Sequence, residues 1–159
     1  MVVYKSGGIT MKTLIVYVSV HHNNTEKVAV AIGEILDADI MTPQQVDETC
    51  IAEYDMIGVG SGIYHAAMHE ELLDFVEELP LVSKNAFIFS TRGIGPSRVY
   101  HRSIRKRLER KGFTIVGEFS CKGLDTYGFL KYIGGINKGR PNEKDLEKAR
   151  EFARQIKGF

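Results

Sequence analysis

Short apolar runs rich in β-branched residues alternate along this chain with longer segments whose apolar residues recur at helical spacing. The first run, Thr13 to Val18, is apolar at almost every position, which is typical of a strand buried on both faces. Because tight turns cannot join parallel strands, the helical segments between them serve as crossovers. The alternation therefore predicts an α/β fold, a three-layer, doubly wound, five-stranded parallel sheet with helices on both faces.

Five segments carry the strand pattern and are separated by turn residues or helical stripes. The predicted strands are 13–18, 38–41, 54–60, 86–90 and 113–120. Residues 43–53, after the second strand, are interpreted as a loop with a turn of helix. Residues 121–140 contain several glycines and are interpreted as a long loop.

Helical segments follow the first, third, fourth and fifth of these strands, and each shows a capping or stop signal. The signals are Asn24 or Thr25 as the first N-cap, Pro80 after the second helix, Gly112 after the third, and Asn142 with Asp145 as a capping box for the last. The last helix is predicted to bury the apolar face formed by Leu146, Ala149, Phe152, Ala153 and Ile156.

One domain accounts for the patterned part of the chain. The length of 159 residues suits one compact core, which we assign to residues 12–159. Residues 1–11 precede the first strand and are interpreted as an N-terminal extension. We expect this extension to be disordered, or to derive from a tag or from a start assigned upstream of Met11.

Cysteine usage and hydropathy bear on where the protein works. Cys50 and Cys121 are far apart and match no metal-ligand spacing, so we expect free thiols in a reducing cytoplasm. No apolar run approaches the roughly 20 residues that a membrane span requires. The segment before Met11 lacks the long apolar core of a secretory signal. A cytoplasmic protein without a membrane span is therefore expected.

Charge is unevenly distributed along the chain, although the net charge is only +1 and indicates no class of partner. Residues 102–111 are strongly basic and residues 70–78 are strongly acidic. The two clusters are either the solvated faces of two helices or a docking face, and the sequence leaves both interpretations open.

A polar loop follows the first strand, at the edge where open parallel sheets bind their ligands. It contains Ser19, His21, His22, Asn23, Asn24 and Thr25. Hydroxyls, amides and free backbone N–H groups at a helix N-terminus suit an anion. The loop matches neither a P-loop nor a dinucleotide fingerprint, and it has no lysine to bridge two phosphates. A single terminal phosphate is favoured over a triphosphate, but an ordinary capped turn would show the same pattern.

Two further loops are expected at the same edge. Gly60 to Ala66 combines glycines, which let a planar ligand approach the backbone, with the flat ring of Tyr64. Thr91 to Arg98 offers glycines and backbone donors that could line the edge of a ring. Each pattern also fits an ordinary glycine-rich strand end, so neither loop identifies a ligand by itself.

The first loop and its flanking elements resemble the flavodoxin family. Leu14 to Ser19, followed by Thr25, Ala29 and Ile32, is similar to the family signature. That signature runs from an apolar strand through an aromatic and a hydroxyl residue to a phosphate loop, then to a threonine, an alanine and an aliphatic residue. The resemblance covers residues 12–158.

The other two loops extend the resemblance. Gly60 and Ser61 with Tyr64 are similar to the family's second flavin loop, in which an aromatic ring stacks on the isoalloxazine. Thr91 to Ser97 occupies the place of the third loop. The family has the strand order 2-1-3-4-5, for which flavodoxin itself is the standard example, with FMN at the switch point. The resemblance therefore implies this order for the chain.

The resemblance further implies FMN as the cofactor and electron transfer between protein redox partners as the function. The residues implied to hold FMN are Ser19, His21, His22, Asn23, Asn24 and Thr25 at the phosphate, and Ser61, Gly62, Ile63, Tyr64, Thr91, Arg92, Gly93, Ile94 and Gly95 at the ring. No catalytic residue is expected. No metal site is expected either, because no carboxylate or cysteine completes a ligand set around the histidines of these loops.

The chain departs from the family pattern in three respects. His21 and His22 stand where Thr-Gly is usual, in a loop one residue longer. Flavodoxins are usually very acidic and this chain is not, so docking to the usual basic partners is not expected. The loop 121–141 is longer than in short-chain members, and we interpret it as a flavin cover or as a partner or homodimer surface.

An enzyme on the same fold is the main alternative to an electron carrier. It would be an FMN-dependent NAD(P)H-quinone reductase or a protoporphyrinogen-oxidase-like enzyme, with a substrate pocket built by Tyr127, Phe129 and Tyr132. Binding to nucleic acid is not expected, because the basic segment lacks interleaved aromatic residues. A phosphoacceptor receiver is excluded, since Ser19 and Gly60 stand where that class needs acidic residues.

Overall fold

The computed structural model describes residues 10–126 and 128–159, which form one mainly parallel sheet covered by helices. The strands are β1 (Thr13–Val18), β2 (Asp39–Met41), β3 (Met56–Tyr64), β4 (Ala67–Met68), β5 (Lys84–Arg92) and β6 (Phe113–Lys122). The parallel strands lie in the order β2-β1-β3-β5-β6, and β4 adds to β3 as a short antiparallel strand. The predicted α/β class is confirmed, and the order of the parallel strands is the predicted 2-1-3-4-5.

The helices lie on both faces of this sheet. They are α1 (Asn24–Leu36), α2 (Glu70–Glu78), α3 (Ser97–Tyr100), α4 (Arg102–Arg110) and α5 (Glu143–Ile156). Three 3₁₀ segments occur at Pro43–Gln45, Glu48–Glu53 and Gly128–Ile133. On one face α1 packs against α5, and on the other α2 packs against α4. No helix among the described residues is long and apolar enough to cross a membrane.

Three strands run further toward the ligand-binding edge than their sequence pattern predicts. β3 reaches Tyr64, β5 reaches Arg92 and β6 reaches Lys122. Parallel pairing of Gly62 with Thr91, and of Arg92 with Lys122, continues the ladder through these polar residues. Hydrogen bonding between neighbouring strands therefore overrides their weak strand propensity.

Other boundaries of helices and strands differ from their predicted positions for local reasons. The N-cap of α1 is Asn23, whereas Asn24 or Thr25 was expected, because Asn23 takes the left-handed conformation (φ 52°) and the helix has begun at Asn24. Met68 belongs to β4, which pairs it with Ile63 just before α2 begins. Part of the expected loop 121–140 is ordered, as strand at its start and as a 3₁₀ turn at 128–133. The predicted extension at residues 1–11 lies almost entirely outside the described residues.

The core consists of two apolar layers, one on each face of the sheet. Close approach of β3 and β5 shapes one of them. The rings of Phe87 and Phe89 are fully buried and lie across Gly58 and Gly60 of the neighbouring strand. A Cβ at Gly58 would stand 2.1 Å from the ring of Phe87. Glycine at this position thus makes room for a buried aromatic ring.

The predicted capping box of the last helix is confirmed. The backbone N–H of Asn142 donates to Asp145 (2.8 Å), and the N–H of Asp145 donates to the Asn142 side chain (3.0 Å). The guanidinium of Arg140 also donates to both oxygens of the buried Asp145 carboxylate. Burial alone would raise the pKa of Asp145, but the hydrogen bonds from Arg140 and Asn142 outweigh it and hold the pKa below its ordinary value.

Asp145→Asn should lower the free energy of unfolding near neutral pH by about 1–3 kcal/mol, because it removes a charged hydrogen-bond acceptor. Since the pKa of Asp145 is lower in the folded protein, the carboxylate stabilises the fold above its unfolded pKa. This stabilisation is lost as the pH falls through the folded pKa, so the difference between variant and wild type should shrink in acid. Urea denaturation across this range measures it. Glu143→Gln, at an exposed acid of the same helical turn, is the control and should change little.

Candidate functional site

A cavity of about 500 Å³ opens at the carboxyl edge of the sheet. It lies at the switch point of the strand order, where β1 and β3 are neighbours and their crossovers leave on opposite faces. The predicted site residues that line it are His21, His22, Asn24, Thr25, Gly62, Ile63, Tyr64, Thr91, Arg92, Gly93 and Ile94. Three loops that are far apart in sequence therefore meet around one space.

Four other predicted site residues lie beside the cavity lining. The Ser61 hydroxyl is fully buried, donates to the Gly62 carbonyl (2.6 Å) and accepts from the His69 N–H (2.9 Å). Gly95 has a left-handed backbone (φ 95°) and lies against Tyr100. Ser19 and Asn23 belong to the turn between β1 and α1. The roles of these four residues in binding a cofactor stay predictions.

Two threonine hydroxyls join the first and third loops inside the cavity. Thr25 and Thr91 are both buried, and their Oγ1 atoms are 2.9 Å apart. Each hydroxyl carries one proton, and only one of the two protons is used in the hydrogen bond between them. The pair therefore always retains one donor for a ligand.

The turn before α1 is held by the segment that follows β6. His22 and Asn23 both have left-handed backbones (φ 58° and 52°), which accommodates the extra residue of this loop. The ring Nε2 of His22 lies 2.9 Å from the Thr126 hydroxyl. The Asn24 amide donates to the Leu124 carbonyl (2.9 Å). The side chain of the N-cap residue Asn23 makes no capping hydrogen bond, so the first N–H groups of α1 remain available to an anion.

Two polar groups of the site are buried without a hydrogen-bond partner among the described residues, the Ser19 hydroxyl and the Nε of Arg92. An unsatisfied buried group costs about 1–3 kcal/mol, so few are found in a folded protein. Both belong to loops at the cavity, and Arg92 lines it. A hydroxyl, a guanidinium, amides and helix N–H groups form a donor set that suits a phosphorylated ligand. The residues present therefore fit a phosphate-bearing cofactor.

Tyr64 lies between the first and second loops. Its ring meets His69 edge-on, with centroids 5.2 Å apart and planes at 88°. A Cβ at Gly62 would stand 2.8 Å from the Tyr64 hydroxyl, so the ring covers this glycine. Burial raises the pKa of Tyr64, and the charge of Asp125 adds to the effect, although a hydrogen bond from the Val20 backbone opposes it. Tyr64 is therefore a neutral aromatic face at neutral pH.

One wall of the cavity is formed by Gly123, Leu124, Asp125 and Thr126. They belong to the loop interpreted above as a flavin cover or partner surface, but they were not predicted individually as site residues. The Gly123 N–H donates to the Arg92 carbonyl (3.0 Å), and Asp125 pairs with Ile136 in an antiparallel bridge. The sequence signal for this wall is Gly123, because a Cβ at that position would lie 2.7 Å from the Asn24 amide nitrogen. The lining residues His65, Ala66 and Tyr100 were also missed. Tyr127 lies outside the described residues.

A buried polar network lies next to the cavity, below Arg92. His101 is 1% exposed, with its Nε2 2.7 Å from the Ser90 hydroxyl and its Nδ1 3.3 Å from Glu118. Arg105 holds Glu118 with two hydrogen bonds. Burial lowers the pKa of His101, although Glu118 opposes the effect. Ser90 is completely buried, so this Ser-His-Glu arrangement cannot reach a substrate and is structural.

The acidic and basic clusters lie side by side on α2 and α4. Glu77 accepts from Arg107 (3.0 Å) and from Arg110 (2.9 Å). The clusters therefore neutralise each other in part, which favours the interpretation as two helix faces. Among the described residues, no group of three or more His, Cys, Asp or Glu is placed to hold a metal ion.

An open parallel sheet with helices on both faces and a cavity at its switch point defines a doubly wound α/β protein. Residues 14–126 match the model of the flavodoxin domain. An uncharacterized protein of Methanocaldococcus jannaschii is 48% identical over 147 residues, which are 92% of this chain and 98% of that protein. The chain belongs to the flavodoxin family, whose cofactor is FMN.

Solved structures agree on the fold. A flavodoxin from the domain Archaea aligns with a TM-score of 0.66 and 20% identity, covering 93% of this chain and 97% of that one. Flavodoxin 1 of Bacillus cereus aligns with a TM-score of 0.69 and 16% identity, covering 91% of this chain and 96% of that one. At such identities the likeness concerns the fold.

Proposed function

We propose that this protein binds FMN in the cavity and shuttles electrons between protein redox partners. The observation that carries the proposal is the cluster of donors at the switch point, including the unpartnered Ser19 hydroxyl and Arg92 Nε. Bound FMN supplies the redox chemistry. The chain supplies binding, orientation and the electrostatic environment.

The phosphate is assigned to the turn between β1 and α1. Ser19, Asn24 and Thr25 donate to it together with the free N–H groups of the helix, as expected for an anion at a helix N-terminus. His21 and His22 line the cavity beside this turn. The hydrogen bond from the Asn24 amide to the Leu124 carbonyl orders this side chain before FMN binds, which lowers the entropy cost of binding.

The ring is assigned to the second and third loops. Gly62, Ile63 and Tyr64 of the second loop and Thr91 to Ile94 of the third line the cavity and would hold the ring. The Ser61 hydroxyl orients the second loop, because it donates a hydrogen bond to the Gly62 carbonyl. Arg92 places a positive charge in a partly buried site, where it favours the more negatively charged state of whatever is bound.

Titration with FMN tests this proposal directly. The apoprotein should quench the fluorescence of FMN and gain thermal stability, since a ligand that binds only the folded state stabilises it. Riboflavin, which lacks the phosphate, is the matched control and should bind about 100-fold more weakly or worse if charged hydrogen bonds hold that group. Unchanged FMN fluorescence together with an unchanged melting temperature would refute the proposal.

The enzyme alternative has less support. Phe129 and Tyr132 are 73% and 80% exposed and do not line the cavity, so they do not build the expected substrate pocket. Sustained oxidation of NAD(P)H with a quinone would nevertheless establish an enzyme. An electron carrier would exchange electrons with redox proteins and show no such turnover.

The buried Cys121 thiol is poorly suited to act as a second redox centre. Cys50 and Cys121 are free. Burial raises the pKa of Cys121 to about 12, so its thiolate is scarce at neutral pH. Free cysteines also fit the reducing cytoplasm that we propose as the location of this protein.

A further inference from the structure

Two segments beside the cavity are joined by hydrogen bonds into one surface. The first is residues 92–100, which begins at the last residue of β5, and the second is residues 122–126 and 128–138, which begins at the last residue of β6. The Asn137 amide donates to the Gly93 carbonyl (2.9 Å). The Gly123 N–H donates to the Arg92 carbonyl (3.0 Å). Both segments also contribute to the cavity wall. We call this surface the cationic rim.

The charge of the cationic rim is strongly one-sided. It contains the basic residues Arg92, Arg98, Lys122, Lys131 and Lys138, and Asp125 is its acidic residue. Arg98 and the three lysines are exposed and form no ion pair within the described part of the chain. On α5, by contrast, Arg150 and Arg154 are paired with glutamates. Uncompensated positive charge therefore collects beside the opening of the cofactor cavity.

Exposed apolar side chains collect on the same surface. They are Ile94 (75% exposed), Val99 (61%), Phe129 (73%), Tyr132 (80%) and Ile133 (61%). Most of the large apolar side chains that are exposed in the described residues belong to these two segments. Exposed apolar groups surrounded by charge are typical of a protein-binding surface.

We propose that the cationic rim docks an acidic protein redox partner over the cavity mouth. This inference rests on the proposed function, because it names the partner of that same site. Charge complementarity selects an acidic surface, and the aliphatic Ile94, Val99 and Ile133 give it apolar contact. Because the exposed rings of Phe129 and Tyr132 could also stack on bases, the test below includes a single-stranded oligonucleotide as a competing ligand.

The test uses one redox protein in two charge states, native cytochrome c, which is rich in lysine, and succinylated cytochrome c, whose lysines carry carboxylates. FMN-loaded protein is reduced with dithionite and mixed with each form by stopped flow. Each haem iron accepts one electron, so a fully reduced FMN reduces two cytochromes. At low salt the succinylated form should react about ten-fold faster or more than the native form, and added salt should remove the difference.

Charge-reversal variants test whether the cationic rim causes this difference in rate. Lys122→Glu, Lys131→Glu and Lys138→Glu together should lower the rate with succinylated cytochrome about ten-fold. The control combines Lys106→Glu, Lys148→Glu and Lys157→Glu, which change the net charge equally but lie on α4, in the middle of α5 and just after the C-terminus of α5. At about 0.1 M salt, where the Debye length is about 10 Å, the control should stay within about two-fold of wild type, because charges farther than that from the docking surface are screened. Calorimetric binding of succinylated cytochrome to the FMN-free protein tests the same surface without electron transfer.

The remaining outcomes separate a failure of the docking surface from a failure of the proposed function. Equal rates for both cytochromes, or equal losses in both variants, would overturn the docking surface and leave FMN binding and electron transfer intact. Failure to bind FMN or to reduce either cytochrome would refute the proposed function, whereas calorimetry would still decide the surface. Self-association through these lysines, or tighter binding of a single-stranded oligonucleotide to them, would overturn the assignment to an acidic protein.

Discussion

Ser19→Ala should weaken FMN binding about 10- to 100-fold and leave the FMN-free protein as stable as the wild type, or more stable. Without a ligand the Ser19 hydroxyl is buried and unpartnered, so its removal deletes a desolvated polar group. With FMN bound, the same hydroxyl is the donor that we assign to the phosphate, and its loss removes a charged hydrogen bond. The opposite responses of the two states distinguish a ligand-binding hydroxyl from a structural one.

The measurement is a pair of experiments on the same variant. Fluorescence titration gives the FMN dissociation constant, and urea unfolding gives the stability without FMN. Ser83→Ala is the matched control, because Ser83 is exposed and lies before β5, away from the cavity. Should Ser19→Ala destabilise the FMN-free protein while FMN binding stays unchanged, the hydroxyl supports the turn and has no contact with phosphate.

The fold could be predicted because its signals are local. The apolar run of β1 and the capping box at Asn142 each specify their own element, whatever the rest of the chain does. The order of the sheet did not follow from such signals alone. It came from the resemblance of the loop around Ser19 and Thr25 to a family with a known order, and the observed sheet confirms it.

The site could be predicted only in part, because much of it depends on contacts between distant segments. The donors from Ser19 to Thr25 adjoin a helix start, and that start is visible in the sequence. The pairing of Thr25 with Thr91 joins residues 66 positions apart, and the bond from Asn24 to Leu124 spans 100. No periodicity encodes either contact. The loop that contains Gly123 to Thr126 could be interpreted as a flavin cover, but its individual lining residues were not predicted, since their position is set by the ends of β5 and β6.

Glycines near the site have two different physical roles, which the sequence does not distinguish. Gly62 and Gly123 lie at the cavity, where a side chain would collide with the Tyr64 hydroxyl or the Asn24 amide. Gly58 and Gly60 lie deeper in β3 and serve the core, because aromatic rings of β5 cross them. Gly60 looked like part of a ligand loop from sequence. The ring of Phe89 shows that Gly60 serves the core, but Phe89 lies beside Gly60 only once β3 and β5 have paired.

Gly58→Ala should lower the free energy of unfolding by about 3 kcal/mol, at the upper end of the usual cost of overpacking. The new Cβ would lie 2.1–2.7 Å from three ring carbons of Phe87. That ring is fully buried and packs against Phe89 and Phe152, at centroid distances of 6.2 and 6.0 Å, so it has little room to move. The melting temperature should fall by about 6–12 °C for a chain of this size.

Two comparisons make the cause of this destabilisation testable. Gly158→Ala is the control and should be nearly neutral, since nothing lies within 4 Å of its added Cβ. In a Phe87→Leu background, Gly58→Ala should cost less than in the wild type, because the smaller side chain leaves space, and a double-mutant cycle measures the difference. If Gly58→Ala costs the same in both backgrounds, the ring of Phe87 is not what excludes a side chain at Gly58. The close spacing of β3 and β5 would then depend on the backbone alone.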